Sequence, residues 1–366
     1  MTGLPPPIDP EVRARLRREL KQRASEFLTR FNRHDVLMAR GVRGVQIEAV
    51  QQFRRLVVEP LLESIGGTLA GIDARGRDVT PERYPQLALL LDEIDLILQR
   101  GILELRQLTE ARLQEVGQRE ADFVAENVER TTDQAIPLVQ APDPSQQRVM
   151  GDTPEQWFDK MLQAPTGDSL RRRILQGLEQ GETVDQIVRG IRGTRTEEGI
   201  LDKAATGVET LVRTAATTES NAAREETFRE LGIERWRFVA TLDSRTTILC
   251  ASLDGKTYPV GEGPMPPLHP NCRSTAVPFF DEEPEGTRAA MDGQVPANMN
   301  FEQWLRAQGD EEQEEMLGKA KAAAWRRGDL TLQQMLGRDL QPLTLKELKN
   351  LDRIKTKDII PQGERY

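Results

Sequence analysis

The sequence predicts a mainly α protein with a small α+β domain: a long N-terminal helical arm, a central domain with a small antiparallel sheet and a Cys/His loop, and a helical C-terminal tail. Three observations lead there. Apolar residues recur every three or four positions along most of the chain. Of the 366 residues only 37% are hydrophobic and 5% aromatic against 30% charged, which suits helices that expose much surface better than one compact globule. The helical period gives way to alternation at 235–242, just before most of the chain's few Cys and His residues cluster. Composition shifts divide the chain into an arm (1–150), a central domain (151–282), and a linker with a helical tail (283–366).

Asp9 caps the first helix, with Pro10 at its first position and Glu11 in its first turn. Val12, Leu16, Leu20, Ala24, Phe27 and Phe31 then make one narrow stripe. A second helical pattern runs through Val45, Ala49, Phe53, Val57 and Leu61 to Ile65, until Gly66-Gly67 and GIDARGRD break it. Thr80 is expected to cap a third, with Pro81 and Glu82 in its first turn. That pattern continues from Leu87 to Phe123 without a proline until Pro137, about fifty residues or roughly 75 Å. Such length implies a strut or a hairpin, bent at Gly101 or Gly117. A Pro- and Gln-rich linker follows at 137–147.

Past the linker, Thr153-Pro154-Glu155 opens a short helix carrying Trp157, and Val184, Ile187, Val188 and Ile191 mark another. A long helix over about 197–230 ends at Gly232, a natural C-terminal cap. Trp236, Phe238, Ala240 and Leu242 then alternate with Arg235, Arg237 and Thr241, which reads as a strand. Lys256–Val260 and Thr275–Phe279 complete a small sheet. After an acidic run, DEEPEGTR, the tail is helical, with Trp304, Leu305, Met316, Leu317, Ala324 and Trp325 as anchors.

The chain has two cysteines and two histidines, and Cys250, His269 and Cys272 fall within twenty-three residues. The window between them reads as a turn-rich knot, with a turn at Asp254-Gly255 and five prolines that hold the loop extended. His269-x-x-Cys272 places an imidazole and a thiolate where they can share one tetrahedral ion. Three readings stand open: small buried thiols with a hydrogen-bonded histidine, a zinc ion, or a Cys250–Cys272 disulfide. Asp243 and Arg245 are the arguable polar pair beside the knot, either fixing its entry turn or serving a site.

Known catalytic patterns are missing. There is no phosphate loop, no G-x-S-x-G elbow and no H-E-x-x-H helix, and His34 lies among polar residues, read as exposed. No apolar run reaches eighteen residues, and MTGLPPPIDP has neither the basic nor the apolar region of a secretory signal, so neither a membrane span nor export is expected. The net charge of −9 speaks against a dedicated DNA binder. Residues 11–60, however, hold twelve Arg or Lys against six Asp or Glu. Arg13, Arg17, Lys21 and Arg54 could meet DNA or an acidic partner there, or simply solvate a helix face with pairs such as Arg15 and Glu19.

One ordered string stands out: TESNAAREETFRELGI, the Trp236-x-Phe238 strand, Asp243-Ser244-Arg245-Thr246, Cys250, Leu253-Asp254-Gly255, Pro266-Pro267 and His269-Pro270-Asn271-Cys272-Arg273. It resembles the Mu F-like head-morphogenesis, or minor head, proteins of tailed bacteriophages. The resemblance covers about a third of the chain and leaves the first 150 residues unmatched. It implies a structural minor capsid protein rather than an enzyme. Such a protein is assembled in the host cytoplasm, recruited in low copy to the procapsid through the portal protein, and retained in the virion. Contacts with the major capsid or scaffolding protein and with packaged DNA are implied too, as is a role in genome retention or ejection.

Family members that look metal-binding carry Cys-x-x-Cys before the turn and Cys-Arg-Cys after it, whereas this chain has Thr247 and Ser274 at the outer positions. Asp243, Asp254 or a water would then complete a zinc shell. The competing reading is a metal-dependent enzyme acting on nucleic acid through Asp243 and His269.

Overall fold

In the computed structural model, which describes residues 8–72, 80–82, 84–137, 139–281 and 286–351, Asp9 opens the first helix as expected. Its carboxylate accepts from the N–H groups of Glu11 (2.9 Å) and Val12 (3.3 Å), and Pro10 starts α1 (Pro10–Gln22). The second helical pattern forms α2 (Ala24–Phe53), a π turn (Arg54–Val58) and α3 (Glu59–Ala70) without a break. The π turn has a cause in the sequence. Pro60 has no N–H for the Leu56 carbonyl and its ring crowds that group, so the helix widens one turn ahead of it. A second π turn (Asp159–Gln163) likewise runs into Pro165, between α5 (Pro154–Phe158) and α6 (Ala164–Glu179). Residues 73–78 of the GIDARGRD break and 282–285 of the DEEPEGTR run lie outside the described residues.

The third helix, α4 (Pro85–Thr132, 48 residues), begins later than Thr80. Pro85 takes the first position, where a missing N–H costs nothing, and holds Tyr84 out of the helical region. The Thr80 carbonyl accepts from the Tyr84 N–H, closing a turn before the helix. Gly101 and Gly117 are points of close approach in this helix. A Cβ at Gly101 would lie 2.6 Å from the Leu56 carbonyl oxygen in the π turn, and one at Gly117 would lie 2.5 Å from Glu219.

Thr153 and Thr183 each make reciprocal capping boxes with Gln156 and Gln186, opening α5 and α7 (Val184–Arg192). The long helix α8 (Ile200–Glu230) ends in a left-handed Gly232, where Ile233 N–H reaches back to the Phe228 carbonyl. Strands β1 (Arg235–Val239), β2 (Thr257–Pro259) and β3 (Thr275–Phe279) pair antiparallel in the order β2-β1-β3, with Trp236 opposite both Tyr258 and Pro278. Trp236 and Phe238 are fully buried, as the alternation predicts.

Two features depart from the sequence reading. The knot contains a helix, α9 (Ile248–Leu253), and the acidic run leads into a β-hairpin, β4 (Thr287–Ala290) and β5 (Gly293–Pro296), before the tail. The tail helices α10 (Phe301–Ala307), α11 (Asp310–Leu317), α12 (Lys319–Arg326) and α13 (Leu345–Asn350) bury Trp304 and Trp325 as expected.

Two apolar cores result. One gathers Leu16, Leu20, Phe27 and Phe31 with the sheet, α9 and the tail tryptophans; the other gathers Phe53, Leu61, Leu98 and Leu105 with Trp157, α6, α7 and the first half of α8. Helices α2, α4 and α8 run through both, and the N-terminal arm lies packed along α8.

Between the cores sits a belt of buried polar groups. Arg224 on α8 donates to Glu120 of α4 (2.7 Å), to Asp35 of α2 (2.6 Å), and to the Ala276 carbonyl (3.1 Å) and Thr275 hydroxyl of β3. Its guanidinium stands 5.5 Å from the centre of the Phe31 ring. His34, expected exposed, is half-buried: it lies 3.2 Å from Glu120 and stacks flat on Phe123, with ring centres 3.6 Å apart. Burial alone would raise the Glu120 carboxyl and lower Arg224, but charge wins: Arg224, with His34, acts on Glu120, and Asp35 together with Glu120 acts on Arg224. Glu120 is held below its ordinary value and Arg224 above it.

Glu219, five residues before Arg224 on α8, has no such partner among the described residues: both carboxyl oxygens are buried and unbonded. Burial, with Asp143 adding to it, pushes this carboxyl from 4.5 up to about 8.

Two outcomes are expected. Replacing Arg224 with Met leaves Glu120 buried without its cation, so the folding free energy should fall by about 3–5 kcal/mol, read by urea denaturation. Glu219 stays protonated in the folded chain while the unfolded chain ionises it, so stability should fall as pH rises from about 4.5 to about 8 and level off above. The loss is on the order of 5 kcal/mol. Glu219→Gln should flatten that slope in denaturant midpoints taken across pH.

Candidate metal centre

Helix α9 brings Cys250 to the site. The Thr247 hydroxyl, standing where a fuller ligand set would have cysteine, accepts from the Cys250 N–H (3.3 Å) as the helix cap. The other half is a turn: Cys272 N–H donates to the His269 carbonyl (3.1 Å), with Asn271 left-handed between them. Helix α8 grips this turn by three hydroxyls. Thr214 accepts from the Asn271 N–H (3.0 Å), Thr210 from its side-chain amide (3.1 Å), and Thr217 donates to the Cys272 carbonyl (3.1 Å).

The result is a converged triad. The two sulfurs lie 3.7 Å apart, Cys250 Sγ is 3.2 Å from His269 Nε2, and all three ligand atoms fall within 4.8 Å of one another. His269 Nδ1 is 2.9 Å from the Pro270 carbonyl, so that nitrogen carries the proton and Nε2 turns its lone pair toward the sulfurs. Both thiols are buried and free of a disulfide. Their electrostatics are unequal. The Cys250 hydrogen bond, helped by His269 and the backbone N–H groups, holds Cys272 down at about 3 against its burial; the same contact and burial push Cys250 up. Bonding to Cys272 raises His269 against its own burial. Two sulfurs facing the lone pair of an imidazole nitrogen form a donor set suited to a divalent cation.

The donor set fits zinc on three corners. Tetrahedral zinc, with bonds of about 2.3 Å to sulfur and 2.0 Å to nitrogen, needs about 3.8 Å between sulfurs and about 3.5 Å between sulfur and nitrogen. The fourth corner does not fall to either expected carboxylate. Asp254 has both oxygens occupied: they accept from Ala240 N–H (2.7 Å), Phe301 N–H (2.7 Å) and the buried Arg288 (3.1 and 3.3 Å). Asp243 is gripped by Arg273 at both oxygens (2.7 Å at the longer contact) and accepts from Arg245 N–H (3.1 Å) and the Thr246 hydroxyl (3.3 Å). That pairing holds its carboxyl below the ordinary value against burial. The buried Ser274 hydroxyl and the Thr247 hydroxyl both bond the Cys250 thiol and act against the rise that burial imposes on it.

Other candidate residues have structural partners. Arg245 is exposed, 3.7 Å from Asp243, and Gly255 takes a left-handed turn after Asp254. Arg13 and Lys21 lie 3.8 and 3.5 Å from Glu230 and Asp281, and Arg17 pairs with Glu234. Gln134 bridges Arg15 (3.0 Å) and Glu19 (2.8 Å) in place of a direct pair. Arg54 has no ion partner among the described residues and lines a cleft with Arg189, Arg192 and Arg195. Arg288, Arg224 and Glu120 were invisible as site-bearing residues in the sequence, since each stands alone among ordinary surface-type charges.

The two aspartates should separate on mutation. Asp254→Asn strips the counter-charge from Arg288 and should cost about 3–5 kcal/mol. Asp243→Asn, whose partner Arg273 is partly exposed and can reach water, should cost about 1–2 kcal/mol. Equal denaturant midpoints for the two variants would contradict this ranking.

Residues 168–277, from α6 to β3, match the family model described as Phage Mu protein F like protein. No curated protein and no solved structure matches the chain. The segment that carries α8 together with Cys250, His269 and Cys272 is thus similar to the Phage Mu protein F like proteins over those residues.

Proposed function

We propose that this chain is a structural minor head protein of a tailed phage, recruited in few copies to the procapsid through the portal protein and retained in the virion. The match at 168–277 carries the reading. Supporting it, the residues singled out as chemistry-bearing are spent on architecture: Asp254 ties β1, the hairpin and α10 together, Asp243 fastens the entry turn to Arg273, and both cysteines are buried. The nuclease reading loses its carboxylate, because Asp243 is committed to Arg273 and stands outside the converged group. Among the described residues no helix is long and apolar enough to cross a membrane. Portal contact is assigned to the helical surface, with major capsid or scaffolding protein as further partners, and contact with packaged DNA to the basic residues of the arm.

Zinc at Cys250, His269 and Cys272 belongs to this reading as a structural staple between α9 and the turn held by α8. It would supply folding stability and no reaction step. Elemental analysis of the purified chain should find about one zinc per chain, and both Cys272→Ser and chelation should remove it and lower the melting temperature. His269→Ala should impair folding or incorporation, with neither form cutting DNA. In the particle itself, gels of purified virions and portal complexes should show the chain well below the major capsid protein. Its absence from virions, procapsids and portal complexes alike would overturn the assignment.

A further inference from the structure

Leu89, Leu96 and Leu103 stand on α4 with 68%, 44% and 48% of their surface exposed. They are seven residues apart, nearly two helical turns, so they line up as one ridge about 21 Å long that drifts only ~20° per repeat. Both flanks of the ridge are taken. On one side Glu93 accepts from Ser64 (2.7 Å) and Glu104 lies 3.7 Å from Arg55; on the other, Asp95 pairs with Arg171 and Arg106 with Glu155 (2.7 Å). The outermost line of the helix is therefore leucine where a solvated face would carry charge. Asp92 and Arg100, one turn before and one turn after Leu96, are exposed and have no ion partner among the described residues.

We propose that this ridge pairs with the same ridge of a second copy of the chain, antiparallel, about a two-fold axis at Leu96. Charge selects this partner and this direction. Antiparallel pairing sets Leu89 against Leu103 and brings each Asp92 opposite an Arg100 of the other copy, giving two ion pairs in a self-complementary contact. Parallel pairing would set Asp92 beside Asp92 and Arg100 beside Arg100. A seven-residue stripe also favours the shallow crossing, near 20°, that keeps two such ridges in contact along their length. Three leucines a side bury roughly 1,000 Å² or less in all, so the dimer is weak and depends on concentration.

Sedimentation velocity on the full chain, from about 1 to about 300 µM, reads this range of affinity. The average mass should climb from monomer toward dimer. Leu96→Glu should abolish the climb without lowering the melting temperature, and Asp92→Arg should weaken association about tenfold. Combining Asp92→Arg with Arg100→Asp should restore it. Disulfide trapping gives the direction, because the native cysteines are buried. Leu96→Cys should cross-link to itself, and Leu89→Cys to Leu103→Cys but not to itself. A mass that stays monomeric, a climb that survives Leu96→Glu, a charge swap that fails to restore association, or self-cross-linking of Leu89→Cys would each overturn the proposal.

Discussion

Arg224 sets the position of almost everything else. A guanidinium shut away from water must find acceptors for its donors, and here they come from three directions: Asp35 on α2, Glu120 on α4, and Thr275 with Ala276 on β3. Because the fork is planar and rigid, its acceptors tolerate little displacement. A buried ion network of this kind contributes little net stability over an apolar replacement, but a mispositioned helix would leave a charge stranded, which is costly. The belt thus acts mainly on register, telling α2 and α4 how far along α8 they lie. Neighbouring amides extend it: Asn221 accepts from the Ala276 N–H (2.8 Å), and Asn127 donates to the Phe27 carbonyl (3.0 Å).

Much of the architecture was legible because it is local. Asp9, Thr153 and Thr183 announce helix starts through side chains that act within three residues, and Gly232 announces an end through its own backbone. The strand at Trp236 shows in alternation alone. What escaped was set by partners distant in sequence or by competing local rules. Pro60 stands inside an apolar stripe, and its consequence appears only where the freed Leu56 carbonyl meets Gly101. Thr80 was a good cap signal that lost to Pro85 five residues later. The β4–β5 hairpin is too short and polar to announce a strand, and gains its place from Arg288 reaching Asp254 and the Ala240 carbonyl.

The candidate site divides the same way. The convergence of Cys250, His269 and Cys272 followed from their closeness in the chain, whereas the carboxylates offered as a fourth donor could not be judged without knowing Arg273 and Arg288. Thr247 and Ser274 read as losses against a fuller ligand set, yet each has its own use. Thr247 caps the helix that delivers Cys250, and Ser274 bonds the thiol. Holding the loop to α8 falls to Thr210, Thr214 and Thr217, residues that look like indifferent helix surface in the sequence.

The ends of the Mu F-like segment bear on how genes of this kind can be shuffled. The matched region begins within α6 and stops inside β3, so it carries Arg224 and Thr275 but neither Asp35 nor Glu120. A recombination event that moved this stretch alone into another gene would deliver a buried cation without the two anions that neutralise it. The host helices would have to provide carboxylates at matching heights, or the graft would fail to fold. Inheritance of this domain as a cassette is therefore constrained by two residues that lie well outside it.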